Sequence, residues 1–202
     1  MQCVEIDLDP KETVLAEAGS LMYMDGNIQM NTIFGDSSKE DEGLMGKIFS
    51  AGKRLLTGES LFMTAYTNMG SNKHHASFAA PFPGKIFAID LTQYGNKIIC
   101  QKDAFLCAAK GVSIGIEFQK KLGVGFFGGE GFIMQKLEGD GMSFVHAGGT
   151  IVEKTLQAGE VLKVDTGCLV AFTQDIHYDI KFVGGIKNTL FGGEGVFFAE
   201  IS

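Results

Sequence analysis

The chain has no tryptophan, only 3 prolines in 202 residues, and a single arginine, Arg54, among its 17 basic side chains. Each shortage excludes something. Nucleic-acid binding relies on clustered positive charge, and arginine supplies most of the forked contacts to phosphate and base edges. Here 24 acidic side chains give a net charge of −7, and Lys53-Arg54 and Lys120-Lys121 are the adjacent basic pairs. Nucleic acid is therefore not an expected partner. The 4 cysteines, Cys3, Cys100, Cys107 and Cys168, form no CxxC pair and no zinc-ligand spacing. Cys100 and Cys107 stand in apolar surroundings, where a free thiol behaves as a small hydrophobe. No stretch comes near the roughly 18 uninterrupted apolar residues of a membrane-spanning helix. The opening MQCVEIDLDP has neither the basic nor the apolar region of a leader. A reduced, cytoplasmic setting is the expectation.

What is abundant is glycine, 28 residues, alongside a hydrophobic fraction of 45%. That much glycine is too frequent for a helical bundle, and the apolar fraction is too high for disorder. No G-X-Y period is present, so collagen is out. A turn-rich, all-β domain spanning 1–202 follows.

The sequence resembles itself three times. ETVLAEAGSLMYMDGNIQM, DAFLCAAKGVSIGIEFQKKL and GEVLKVDTGCLVAFTQDIHY align ungapped through Gly19, Gly111 and Gly167. Val14 then falls over Leu106 and Leu162, Met22 over Ile114 and Val170, and Met30 over Leu122 and Tyr178. Apolar columns two apart carry the period of a strand facing a core. A second block is sharper: LLTGESLFM (55–63), FFGGEGFIM (126–134) and LFGGEGVFF (190–198) superimpose residue for residue. A third, SFAAPFPGKIFAIDL (77–91), resembles SFVHAGGTIVEKTL (143–156). These blocks divide the chain into imperfect repeats at about 1–76, 77–142 and 143–202. The spacing between blocks varies by insertion, and insertions map to loops. Val4-Glu5 and Leu8 align with Val152-Glu153 and Leu156, so the N-terminal strand is expected to supply the strand the last repeat lacks and to close the sheet. In the first insertion, DSSKEDEGLMGKIFSAGKRLL opens acidic and ends basic, with Leu44, Ile48 and Leu55 on one stripe. It predicts one inserted α-helix near residues 44–56.

A helix ending in GKRLLTGESLF, followed by FFGGEGF and LFGGEGVFF, resembles the family of the altered inheritance of mitochondria protein twenty-four, whose bacterial members form a domain of unknown function. The likeness covers essentially the whole chain. It implies a β-sandwich or double-stranded β-helix of the trp RNA-binding attenuation protein-like (TRAP-like) type with pseudo-threefold internal symmetry. It supplies no catalytic residues. The family's mitochondrial members are associated with inner-membrane organisation. Neither that role nor the RNA binding in the fold's name transfers on fold alone.

Glu59, Glu130 and Glu194 occupy equivalent places in the three glycine motifs. Brought together by a threefold axis, their carboxylates form a candidate site for a cation or a basic segment. The favoured reading is local: each carboxylate accepts backbone N–H groups of its own turn. Asp175, His177 and Asp179 alternate, so on one strand they share a polar face. Two carboxylates beside an imidazole suit acid/base or ligand chemistry. The polar residues at the matching positions of the other copies favour a solvated face. His74-His75 project to opposite sides of a strand and cannot easily share one ion, and His146 stands alone. GVGFFGGEG (123–131) lacks the lysine-serine ending of a phosphate loop, and no G-x-S-x-G elbow occurs. No catalytic residue, metal or cofactor is expected. Phe49, Phe126, Phe127 and Phe191 accompany Lys47, Lys53, Arg54, Lys120, Lys121 and Lys187 in the three insertions. They either cap one end of the fold or make a basic, apolar surface for peripheral membrane or partner contact.

The chain is thus expected to be a non-enzymatic binding or scaffold protein acting through protein partners or self-association, a homotrimer being one form. The rival classes are a small-molecule-binding or metal-dependent enzyme of the double-stranded β-helix type, and a membrane-surface protein.

Overall fold

A computed structural model describes residues 2–34, 62–120, 132–182 and 197–202. The predicted helix near 44–56 lies outside the described residues. Within them, helical structure is confined to 3-10 turns of three or four residues, and everything regular besides is strand.

The strands fall into three runs along the chain. The first holds β1 (Val4–Leu8), β2 (Thr13–Glu17), β3 (Leu21–Met24), β4 (Ile28–Phe34), β5 (Phe62–Asn68) and β6 (His74–Phe78). The second holds β7 (Lys85–Asp90), β8 (Lys97–Gln101), β9 (Phe105–Ala109), β10 (Ser113–Lys120), β11 (Phe132–Glu138) and β12 (Met142–Ala147). The third holds β13 (Leu162–Asp165), β14 (Ala171–Thr173), β15 (Tyr178–Phe182) and β16 (Phe197–Ile201).

Every pairing is antiparallel, and one scheme governs each run. β6 pairs with β1 and β3, as β12 pairs with β7 and β9. β5 pairs with β2 and β4, β11 with β8 and β10, and β16 with β13 and β15. Two pairs then cross from one run to the next, β2 with β9 and β8 with β14. The resulting sheets have the orders β4-β5-β2-β9-β12-β7, β10-β11-β8-β14, β1-β6-β3 and β13-β16-β15.

The middle strands of the six-stranded sheet, β5, β2, β9 and β12, are buried on both faces. Leu15 points into a cluster with Met63, Ile98, Cys100, Phe105 and Val145. Its neighbours Val14 and Ala16 point the other way, among Leu8, Tyr66, Ala76 and Phe78. A third cluster joins Ile99, Met134 and Phe172 to Ile180 and Ala199 of the β13-β16-β15 sheet. Successive side chains alternate between faces, so a strand covered on both sides is apolar without interruption. That explains TVLA, IIC and FLCAA.

The pairing corrects two expectations. Gly19 follows β2 and Gly167 follows β13, strands that β5 and β16 flank, but Gly111 follows β9, which β11 does not flank. An ungapped alignment through Gly111 sets Leu106 against Val14, whereas the ladders set Ile98 there: Val14 and Ile98 each sit one residue into a strand that β5 or β11 flanks. Both 98–101 and 105–109 are apolar runs, so hydrophobicity alone does not tell them apart. The N-terminal strand also does not reach the C-terminus. β1 pairs with β6, and the backbone of Ser202 exchanges two hydrogen bonds of 2.9 Å with that of His177. The register Val4↔Phe78 to Leu8↔His74 already holds all of β1.

Two glycines are required where backbones meet. Gly139, in the β11–β12 turn, has φ 143, and a Cβ there would lie 2.5 Å from the Gly111 carbonyl oxygen. At Gly84 a Cβ would lie 2.3 Å from the Ala147 carbonyl oxygen.

Truncating the core has a calculable cost. Phe78 is fully buried and packs edge-on against Tyr66, with ring centroids 5.1 Å apart. Phe78→Ala is expected to lower the unfolding free energy by about 3–5 kcal/mol. Met22→Ala, at an exposed position, should stay within about 0.5 kcal/mol. Urea unfolding of both variants measures the contrast.

Candidate functional site

The densest polar constellation sits where β6 meets β1 and the β3–β4 turn. His74 and His75 are adjacent on β6, so their rings leave on opposite faces. His75 stands opposite Asp7 in the β1–β6 register, and its Nδ1 lies 2.8 Å from Asp7 Oδ1. His74 is held at both nitrogens, with Nδ1 3.3 Å from Asp25 Oδ2 and Nε2 2.9 Å from Asn27 Nδ2. With the Asn27 amide donating, Nε2 accepts and Nδ1–H donates to Asp25. Asp25 Oδ2 also accepts the His75 backbone N–H at 2.8 Å, while the Asp25 N–H donates to the His75 carbonyl at 3.0 Å. The His75 N–H, with the His74 side chain, holds the Asp25 carboxyl below the usual carboxylate range. Lys73 adds ion pairs of 3.8 Å to Asp7 and Asp9. Beneath them the buried Asn68 donates to the carbonyls of Leu8 and Asn72, both at 2.8 Å, and accepts the Gly70 N–H.

This network spends its polar groups on one another, and its chemical effect is to fasten β6. Among the described residues no three histidine, cysteine or acidic side chains are grouped so as to hold a metal ion.

Glu59, Glu130 and Glu194 lie outside the described residues, as do most of the insertion residues around them. Asp175 and His177 precede β15, and only Asp179 lies on it. Asp175 is in the turn after β14, its carboxyl held below the ordinary range by the Thr173 side chain. Asp179 is ion-paired at 2.8 Å with Lys181, its neighbour on the same strand face. His146 is buried edge-on against Phe82, ring centroids 4.7 Å apart, and its Nδ1 has no hydrogen-bond partner. Burial pushes its pKa below the ordinary value. Cys100 and Cys107 are buried and their thiols are pushed up to about 12, whereas Cys3 and Cys168 are exposed.

One feature escaped the sequence reading. Gln135 is fully buried, and neither atom of its side-chain amide has a partner. Its signal was present: it occupies an inward place between Ile133 and Leu137 in FIMQKLE.

By architecture this is an all-β protein of several antiparallel sheets packed through shared apolar clusters. The chain matches the family described as Mitochondrial biogenesis AIM24 over residues 1–202, and it belongs to that family. It is 31% identical over 195 residues to an uncharacterised protein of Streptococcus pyogenes serotype M6, a match that covers 96% of this chain and 75% of the relative. It also resembles a crystal structure of a Streptococcus pyogenes protein from a structural genomics programme, with a TM-score of 0.72 and 27% identity. That match covers 98% of this chain and 83% of the other. Among the described residues no helix is long and apolar enough to cross a membrane.

Two measurements check these environments. A thiol–disulfide reagent should modify Cys3 and Cys168 rapidly in the native protein and reach Cys100 and Cys107 only on unfolding. His146 should make stability depend on pH. The unfolded chain takes up its proton near the ordinary value of 6.5 and the folded chain does not, so stability falls as pH drops through that value. Between pH of about 7.5 and 5.5 the unfolding free energy of wild type should fall more steeply than that of His146→Phe. The difference should be at most about 1.4 kcal/mol per pH unit.

Proposed function

We propose that the protein is a non-enzymatic binding or scaffold protein that works through contacts with protein partners or with further copies of itself. The observation that carries this reading is the filled interior. The clusters around Leu15, Val14 and Ile99 occupy the spaces between the sheets with aliphatic and aromatic side chains, while the buried imidazole and thiols stand singly. An enzyme of the double-stranded β-helix type needs convergent histidines or carboxylates around an internal space.

Within this reading the chain is one domain of three related units, about 1–76, 77–142 and 143–202, set around a pseudo-threefold axis in TRAP-like fashion. Support comes from the shared pairing scheme of the three strand runs and from Leu8, Leu91 and Leu156, which each belong to a different apolar cluster or pack against it. The inserted helix and the three glutamates of the glycine motifs remain parts of that proposal, as does a cytoplasmic setting.

Light scattering and ligand screening test the function together. The expected outcome is a particle heavier than the 21.7 kDa chain, alone or with a partner, and no stabilisation by divalent metals, nucleotides or small carboxylates. A strictly monomeric protein that a small ligand stabilises by about 2.7 kcal/mol at a hundredfold excess over its Kd would sink the reading in favour of the enzyme class.

A further inference from the structure

We propose that the outer edge of β7 pairs with β7 of a second copy of this chain, antiparallel about a twofold axis at Ala88. The inference rests on the reading of the protein as one that works through contacts with partners or further copies of itself. Most strands that end a sheet are short or charged. β14 has three residues, and β3 and β13 have four each. β1 exposes Glu5 and Asp7, and β15 carries Asp179 and Lys181. β4 and β10 end where the described residues end. β7 differs from all of them. Its six residues, KIFAID, pair with β12 without a bulge, hold no proline and keep charge to the two ends. A long, regular, apolar edge is a template for another strand. β1, the counterpart of β7 in the first run, likewise ends its sheet, so the shared scheme puts no strand beyond β7.

Two hydrogen bonds fix how the peptide groups of β7 point. The Ile86 N–H donates to Gln2 Oε1 at 2.7 Å, so the Ile86 peptide groups face away from β12. The Leu91 N–H donates to the Gly141 carbonyl at 3.4 Å, so Leu91 faces the ladder. Alternation then turns the peptide groups of Ala88 and Asp90 outward with those of Ile86, and those of Phe87 and Ile89 toward β12. Ala88, in the middle of this edge, is exposed.

A second copy fits because the two halves of this edge complement each other under a twofold rotation. With Ala88 opposite Ala88 of the second copy, the two exchange N–H and carbonyl groups, and the small side chain leaves the axis uncrowded. Each Asp90 N–H then meets the Ile86 carbonyl across the axis. Gln2 keeps the Ile86 N–H, and the Asp90 carbonyl turns into the 3-10 turn that Asp90 caps. Phe87 falls opposite Ile89. Both already pack, partly buried, against the cluster around Leu15, so the pairing extends that core. Lys85 and Asp90 stand at opposite ends of β7, so antiparallel copies bring the cationic end of one beside the anionic end of the other. Salt screens the net charge of −7 beyond about 8 Å, which leaves these local charges to act. The ladder is short, so the contact belongs with weak, reversible interfaces.

Sedimentation equilibrium of the full chain over a range of concentrations reads the association. The mass is expected to rise from 21.7 kDa toward twice that value. Ala88→Pro removes the outward N–H and spares the β12 ladder, and Ala88→Lys sets like charges across the axis. Each should raise the dissociation constant at least about tenfold, with a urea midpoint like that of wild type. In a Cys3→Ser, Cys168→Ser background, Ala88→Cys should oxidise to a disulfide-linked dimer at least about tenfold faster than Lys85→Cys. Opposed residues of such a pair lie about 5.5 Å apart, within the span of a disulfide. The proposal is overturned if the chain stays at 21.7 kDa up to about 1 mM. It is equally overturned if folded Ala88→Pro and Ala88→Lys associate as wild type does, or if the two cysteine variants cross-link at equal rates. A chain that associates regardless of Ala88 keeps the wider reading and loses this edge. A strictly monomeric chain that a small ligand stabilises loses both.

Discussion

The structure depends on a sheet whose middle strands are covered on both faces. Because β2 and β9 pair, strands from the first and second runs become one six-stranded surface, and side chains on either face of its middle strands enter apolar clusters. Leu15 and Val14 are adjacent in sequence yet belong to different clusters. The same holds for Ile98 and Ile99, which divide their burial between the first cluster and the third. Removing one ladder would therefore open two cores at once. Burial of roughly 25 cal/mol per Å² of apolar surface makes such double use of a backbone economical, since one ordered residue supports packing on two sides.

Much of this architecture was legible. The all-β class followed from glycine, alternation and the absence of any long helical pattern outside the first insertion. In the block ending at Met63, Met134 and Phe198, these residues face Glu17, Gln101 and Asp165 in their ladders. The glycine-anchored block failed at Gly111, where β8 and β9 are both apolar. With both faces buried, IICQ and FLCAA look alike, and the amphipathic alternation that fixes register elsewhere is gone. The turn glycines misled for a related reason. Gly111 matches Gly19 as a residue type but serves a different turn, where Gly139 crosses its carbonyl.

The polar constellation was harder to see because its members are distant in sequence. Asp7, Asp25 and His75 converge through the antiparallel order β1-β6-β3, which no local motif announces. The histidine pair itself was read correctly as two side chains facing apart. Asp175, His177 and Asp179 were placed on one strand by periodicity alone, whereas the chain turns at Asp175 and begins β15 at Tyr178. A period of two cannot say where a strand begins.

The outer strands keep a face to solvent: burial alternates along β1, and Met22 and Tyr23 of β3 are exposed. The acidic surface, at net −7, disfavours anionic partners. At the sheet edges among the described residues, the peptide groups are oriented by the ladder behind them. Natural sheets guard such edges with charge, bulges or short strands. β14, the last strand of its sheet among the described residues, is only three residues long. A strand that short, at the end of its sheet, offers an incoming segment little ladder to pair with.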